Sequence, residues 1–284
     1  MHVSTYAYLM ILALAFAARS AQTETAPLAD LSLEELLNVE VTSVSKKAEN
    51  RAEAAAAIYV ISNEDIRRSG ATTLPDALRM VPGVHVARLD ANKWSVTIRG
   101  TSGRFANKLL VLIDGRSVYT ALFSGVEWEA RDVLLEDVDR IEVIRGPGGT
   151  LWGANAVNGV INIVTKHARD TAGGLLELRA GSEEWASILR FGELLGDAGA
   201  YRVYGEVGGF DHSRYPDGDT ADDEWQRTRL GFRADWERGE DSWTLQGDAY
   251  SVRASQRNTV YQLRVPAQEL RKNDEDFWGA NLLG

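Results

Sequence analysis

The run "RGPGGTLWGANAVNGVINIVTK", Arg145 to Lys166, holds the residues whose types and spacing come nearest to chemistry. Five glycines lie in it, at positions 146, 148, 149, 153 and 159. Such a run cradles a phosphate only when the rest of a motif accompanies it. A P-loop follows its last glycine with a Lys that neutralises phosphate charge and a Ser or Thr that holds magnesium. Gly148 and Gly153 have the P-loop separation, but Ala154 and Asn155 stand where those side chains belong. The dinucleotide pattern G-x-G-x-x-G fails too: Gly146 and Gly148 fit, and Leu151 occupies the third glycine position. What remains is a tight turn and a strand bend, which Gly and Asn permit through positive φ.

Other chemistry is equally thin. The 284-residue chain has no Cys, hence no disulfide framework and no thiolate metal site. Its four His, at 2, 85, 167 and 212, are scattered without ligand spacing. No nucleophile–base pair stands out, so no catalytic residue, metal or cofactor is assigned and an enzyme is not expected. A formal net charge of -10 argues against nucleic acid as a partner, because phosphate neutralisation needs clustered Lys and Arg.

The elements around this run fall into three parts. Tyr8 to Ala18, "YLMILALAFAA", is too short for a spanning helix, which needs about 20 residues. It suits a signal peptide over 1–20, with Ala18-Arg19-Ser20 before the cut, although the n-region has no Lys or Arg. Residues 21–50 form an extension with a helical turn at Ser32–Leu37 and an alternating segment, "VEVTSVS", that has no hairpin partner nearby. Residues 51–168 read as a compact α+β region. Its expected helices are a capped one from Ser62 to Gly70 and a second in "TTLPDALRMVPGV". Its expected strands are "AIYVI", Val84–Arg88, Ser95–Arg99, Leu109–Ile113, Arg140–Arg145 and Val160–Thr165, with a turn at Asp114-Gly115.

From Gly173 onward the pattern alternates. Thr228, Leu230, Phe232, Ala234 and Trp236 share one strand face; Arg227, Arg229, Arg233, Asp235 and Glu237 share the other. Six strands are expected, at 174–181, 185–192, 200–210, 225–237, 242–252 and 276–284. A soluble antiparallel sheet would turn its apolar face to a core, and an outer-membrane barrel would turn it to lipid. Several segments reach the ~9–11 residues of a tilted spanning strand. Trp185, Tyr201, Trp236 and Trp243 lie at strand ends on the apolar parity, where interfacial girdles belong. Both observations favour the membrane.

Four linked segments carry a family resemblance. "TTLPDALRMVPGV", "SVTIRG", "LLVLIDGRSVY" and "VDRIEVIRGPGGTLWGANAVNGVINIVTK" resemble the plug domain of TonB-dependent outer-membrane receptors, in the family's order. The resemblance implies an α+β plug domain followed by the antiparallel β-strands of an incomplete outer-membrane β-barrel, residues 173–284. It implies that Gly146, Gly148, Gly149 and Gly153 turn the backbone beside the barrel wall. Plug arginines in that family make charged contacts with the wall, which implies that role for Arg99 and Arg145. A TonB box pairs with TonB as an added strand, drawing affinity from main-chain hydrogen bonds. The segment Val41, Thr42, Ser43, Val44 and Ser45 is either that box or a linker.

The implied partners are TonB with its inner-membrane energy-coupling complex, the outer membrane, and a metal chelate or other small nutrient. The implied location is the outer membrane of a Gram-negative bacterium, with the plug facing the periplasm. Strand one then runs outward, so the long links 211–224 and 253–276 fall outside the cell and "RGED" falls inside. The family's barrels have about 22 strands and this chain reads as six, which implies a fragment of a longer receptor. The implied function is uptake of a scarce nutrient such as an iron–siderophore complex. The alternative is a plug-bearing binding or signalling module, or a non-functional fragment, without transport.

Overall fold

The computed structural model describes residues 57–284, apart from 101–102, 121, 131–132, 264 and 266–267, together with two short strands before them. Those are β1 (Glu40–Val41) and β2 (Glu49–Asn50), paired antiparallel. The segment around Val41, expected to lack a hairpin partner, therefore has one; Glu49–Asn50 carries no apolar alternation to announce it. The apolar run Tyr8–Ala18, Ser32–Leu37 and Thr42–Ser45 lie outside the described residues.

The globular domain is built on a five-stranded sheet. Its strands are β3 (Ile58–Ser62), β6 (Leu109–Ile113), β7 (Arg116–Ser117), β8 (Val138–Arg145) and β9 (Gly159–Thr165), in the order β3-β8-β9-β6-β7. β6 and β9 are parallel and the other pairs antiparallel. All five residues of β6, "LLVLI", are buried, as expected of a strand covered on both faces. One face packs Ile61, Val111, Ile141 and Ile161 against Ile66, Leu74 and Leu78 of the helices. The other gathers Ile58, Leu110, Ile144 and Val160. A separate hairpin joins β4 (Val84–Arg88) to β5 (Trp94–Ile98).

Local chemistry sets the helix ends. The Ser62 hydroxyl accepts Asp65 N–H at 3.2 Å and the Asp65 carboxylate accepts Ser62 N–H at 2.9 Å, a capping box that starts helix Asn63–Ser69. Gly70, at φ +71°, ends it. The second helix covers only Leu74–Leu78, capped by the Thr73 hydroxyl. It stops sooner than the apolar pattern suggests because Arg79, Met80 and Val81 tighten onto i−3 carbonyls. Asp114 and Gly115, at φ +47° and +79°, make the two-residue turn between β6 and β7.

The glycine run is more specific than a flexible loop. Gly146 (φ +146°) and Gly153 (φ +81°) occupy conformations that other residues rarely adopt. Gly148 and Gly149 do not: Gly148, at φ -114°, precedes a one-turn helix, Gly149–Trp152. The closest backbone approach falls at Gly159, where a Cβ would sit 2.4 Å from Ile144 O.

The second sheet has six antiparallel strands in sequence order: β10 (Gly173–Ala180), β11 (Glu184–Leu195), β12 (Gly199–Phe210), β13 (Trp225–Arg238), β14 (Asp241–Tyr261) and β15 (Gln268–Leu283). One face is buried against the globular domain and carries the charged parity, including Arg202, Glu206, Arg227, Arg229 and Asp235. The other is exposed and apolar, with Leu189, Phe191, Val203, Leu230, Phe232 and Leu245. Trp185 pairs laterally through Gly209 to Gln226, ten residues along β13 from Trp236, which faces Trp243. Ten residues rise about 33 Å, or about 25 Å once tilted, the height of a lipid-facing band.

One expectation is corrected. Residues 253–276, expected as a long link, are mostly hairpin: β14 runs on to Tyr261 and β15 begins at Gln268. The 21 residues of β14 far exceed what a membrane requires. The extension is polar on both sides, so no alternation marks it in the sequence.

Leu230 stands on the apolar face, 63% exposed. Leu230→Arg should cost about 2–4 kcal/mol in a lipid-embedded sheet, whereas an exposed Leu of a water-soluble sheet would tolerate the change within about 0.5 kcal/mol. Urea titration of the two chains folded into lipid vesicles measures the difference.

Candidate functional site

The chain leaves the globular domain through the end of β9, and the contact with the six strands is built around that exit. Asp114, in the β6–β7 turn, accepts the Thr165 N–H at 2.8 Å and the Thr165 hydroxyl at 2.9 Å. Two strand side chains join them. Gln246 Nε2 donates to Asp114 at 3.0 Å, and Arg233 Nη1 donates to Thr165 Oγ1 at 2.9 Å while lying 3.8 Å from Asp114. Asp235 of β13 accepts the Ala168 N–H at 2.7 Å, the Thr244 hydroxyl at 2.6 Å and Arg233 Nε at 2.8 Å.

Asp137, 3% exposed, closes the 3-10 turn Leu135–Asp137 just before β8. Arg190 Nη1 of β11 donates to its carboxylate, and Arg202 Nε of β12 lies 3.2 Å away. Arg202 also donates to Lys166 O at 2.5 Å and to Thr165 Oγ1 at 3.2 Å. The Lys166 ammonium turns back to Asn63 Oδ1 and Glu136 O, and burial pulls its pKa below the ordinary lysine value. Two acids of the domain thus meet three arginines of the strands. Such charges persist out of water only when paired and hydrogen-bonded.

Apolar and backbone contacts continue along the same face. Ala130 packs with Tyr250, Val252 and Ala254, and Arg229, 1% exposed, donates to Ala130 O at 3.1 Å. Beside Ala130, the Glu129 carboxyl is pushed up to about 7 by burial, against the opposing pull of Arg104 at 3.5 Å. A cavity of about 470 Å³ separates Ile66 and Leu134 of the domain from Ile188 and Glu206 of the strands.

The residues singled out from the sequence are placed differently. Arg145 donates to Pro82 O at 3.1 Å, inside the domain, and Arg99 is exposed at φ +50°. Asp114 and Asp137, rather than those two arginines, meet these six strands. The signals for them were the Asp-Gly turn, read only as a turn, and the arginines of one parity on β13. Val41 lies in the β1–β2 pair. No group of three or more metal-ligating side chains occurs among the described residues.

A sheet with an apolar outer face and a charged inner face, wrapped on a globular domain, defines part of an outer-membrane barrel with an internal domain. The comparisons agree. Residues 50–160 match the TonB-dependent Receptor Plug Domain. The vitamin B12 transporter BtuB of Vibrio vulnificus is 34% identical over 145 residues, covering 50% of this chain and 23% of that protein. The iron-regulated outer membrane virulence protein of Vibrio cholerae is 36% identical over 170 residues, covering 54% of this chain and 25% of that protein. The pyoverdine outer membrane receptor FpvA of Pseudomonas aeruginosa PAO1 matches with a TM-score of 0.62 at 20% identity, over 76% of this chain and 30% of that one. The ferric-catecholate import receptor Fiu of E. coli K12 matches at 0.59 and 22%, over 79% and 31%. Likeness at such identities carries the fold alone.

Residues 50–160 belong to the plug domains of TonB-dependent receptors, and the strands that follow have the fold of part of such a receptor's barrel. The chain spans about a quarter of the length of the curated relatives it matches. The family's members are receptors and transporters, not enzymes.

Asp137→Asn should leave Arg190 and Arg202 short of a counter-charge and cost about 3–5 kcal/mol of stability. Asp139→Asn is the control, since that side chain is 48% exposed and its pair with Arg140 contributes under about 1 kcal/mol. Urea titrations of both variants in detergent micelles give the comparison.

Glu129 supplies a pH prediction. Its folded pKa of about 7 lies above the reference 4.5, so its stabilising contribution is complete below 4.5 and lost as pH rises through 7. Between pH 4.5 and 8 the wild type should lose about 3 kcal/mol relative to Glu129→Gln, read as a stability difference that vanishes in acid.

Proposed function

We propose that this chain is the plug and opening wall of an outer-membrane receptor that imports a scarce nutrient with energy delivered by TonB. The observation that carries the reading is the plug domain held by buried ion pairs against the charged face of strands whose other face is apolar. A plug in that place closes a pore, and importing through it requires work on the plug. In the proposed division, residues 1–20 are the export signal, 21–50 the periplasmic extension, 51–168 the plug and 173–284 the wall. The plug faces the periplasm, and the link 211–224 and the far end of the β14–β15 hairpin face outward.

The nutrient class follows the relatives. The names of the matched proteins speak of vitamin B12 and of iron regulation, which supports a metal-bearing organic complex as cargo: a corrinoid or an iron–siderophore chelate. Uptake of labelled cobalamin and of labelled ferric siderophores, by cells making the receptor that contains this chain, separates the two. Loss of uptake in cells without TonB is the required control, and TonB-independent uptake would refute energy coupling.

Val41–Ser45 is the proposed TonB contact, made by strand addition. Pro lacks the N–H that such pairing uses. Val44→Pro should therefore abolish capture by a periplasmic TonB fragment and Val44→Thr should not; equal capture of both variants would remove the assignment.

A further inference from the structure

The plug touches the strands at a second level, nearer the outer links, and there a carboxylate of the strands holds plug backbone. The β4–β5 hairpin turns through Leu89–Lys93. Asp223, at the end of the link 211–224, is 3% exposed. Its Oδ2 accepts the Ala91 N–H at 2.8 Å and its Oδ1 accepts the Ser213 N–H at 2.6 Å. Ala91 O accepts Trp225 Nε1 at 2.9 Å. Asn92, 2% exposed, donates its Nδ2 to Asp223 O and Ser255 O, each at 3.4 Å. The Arg88 guanidinium lies 3.9 Å from the Phe210 ring and 5.4 Å from the Trp94 ring. One buried carboxylate therefore binds two separate segments, the plug loop and the beginning of the outer link.

The neighbours of Asp223 are tied elsewhere. Asp222 pairs with Arg257 at 2.7 Å, and Glu224 pairs with Lys272 at 2.5 Å and accepts the Ser255 hydroxyl at 3.2 Å. Arg257, Lys272 and Ser255 all stand on the β14–β15 hairpin. A shift of the link against that hairpin moves both residues flanking Asp223. Asp223 in turn has no way to move without releasing Ala91 or Ser213, and a buried charged acceptor stripped of donors is costly.

We propose that Asp223 is a positioning residue that makes the outer link 211–224 and the plug loop Leu89–Lys93 one coupled element, so that a displacement of either is felt at the other. Both segments face outward in the uptake reading, but the coupling needs no cargo and its test uses none. It has the physical form that coupling requires: two segments biasing one shared set of bonds.

The test is amide exchange in the full chain in detergent micelles, with Arg257→Ala as the displacement. That change frees Asp222 on the hairpin side of the junction. Exchange should rise severalfold at both Ser213 and Ala91, while the Thr165 amide, bonded to Asp114, stays unchanged. In an Asp223→Asn background both amides have lost a charged acceptor and should exchange roughly tenfold faster or more. Adding Arg257→Ala there should change Ala91 no further. A rise confined to 211–224, or an equal further rise at Ala91 in both backgrounds, overturns the proposal. If Asp223→Asn does not fold, the Arg257→Ala comparison with the unaltered chain decides alone: a rise at both Ser213 and Ala91 supports the coupling, and a rise confined to 211–224 overturns it.

Discussion

Arg190, Arg202 and Arg233 project from strands whose opposite face is apolar and exposed. Guanidinium groups in a thin sheet beside hydrocarbon stay charged only if carboxylates and carbonyls surround them. The strands provide part of that environment through Asp235. The rest comes from Asp114, Asp137, Thr165 and the Lys166 carbonyl, all of the plug. The inner composition of the wall, the seat of the plug and the exit of the chain into β10 are therefore one solution to one electrostatic constraint. Removing the plug as a rigid body would strand two acids and three arginines together.

Attachment is uneven around the plug. The exit end is held by paired charges, the middle by Ala130 against Tyr250 and Val252, and the end at the β4–β5 turn by backbone groups on Asp223 and an indole. Between helix Asn63–Ser69 and strands β10 to β13 the packing opens into the cavity lined by Glu177, Arg179, Glu206 and Arg227. Closely packed interiors move as units, and gaps lower the cost of relative motion. Rearrangement of the plug is consequently cheaper along this flank than at the charged exit.

The elements legible in the sequence were those with asymmetric surroundings. β13 alternates because one face meets Arg-binding carboxylates and the other meets lipid, so its residues 225–237 were readable almost to the end. β6 was readable as an unbroken apolar run bounded by Asp-Gly. The outer half of the β14–β15 hairpin was not, because water on both sides leaves no period to detect. Helix Leu74–Leu78 was overestimated because Val81 is buried from a turn as readily as from a helix. Gly159 looked like one glycine among five, yet it carries the closest backbone approach, to Ile144 of the paired strand β8. Pairing of that kind leaves no local mark.

The placement of the charged contacts follows from strand direction. β6 and β9 are parallel, so Asp114 after β6 and Thr165 at the close of β9 arrive at the same end of the sheet. β8 is antiparallel to β9 and pairs Val138 with Thr165, so Asp137, just before β8, arrives there too. Arg145 closes β8 opposite Gly159, about 20 Å away along the strand. The chain enters its first wall strands from the Thr165 end, and the groups at that end are the ones that meet Arg190, Arg202 and Arg233 of those strands. A motif resemblance marks Arg145 as charged and strand-terminal, which it is. The pairing directions decide that it stands at the end remote from these six strands, and that the acids Asp114 and Asp137 do the work of attachment here.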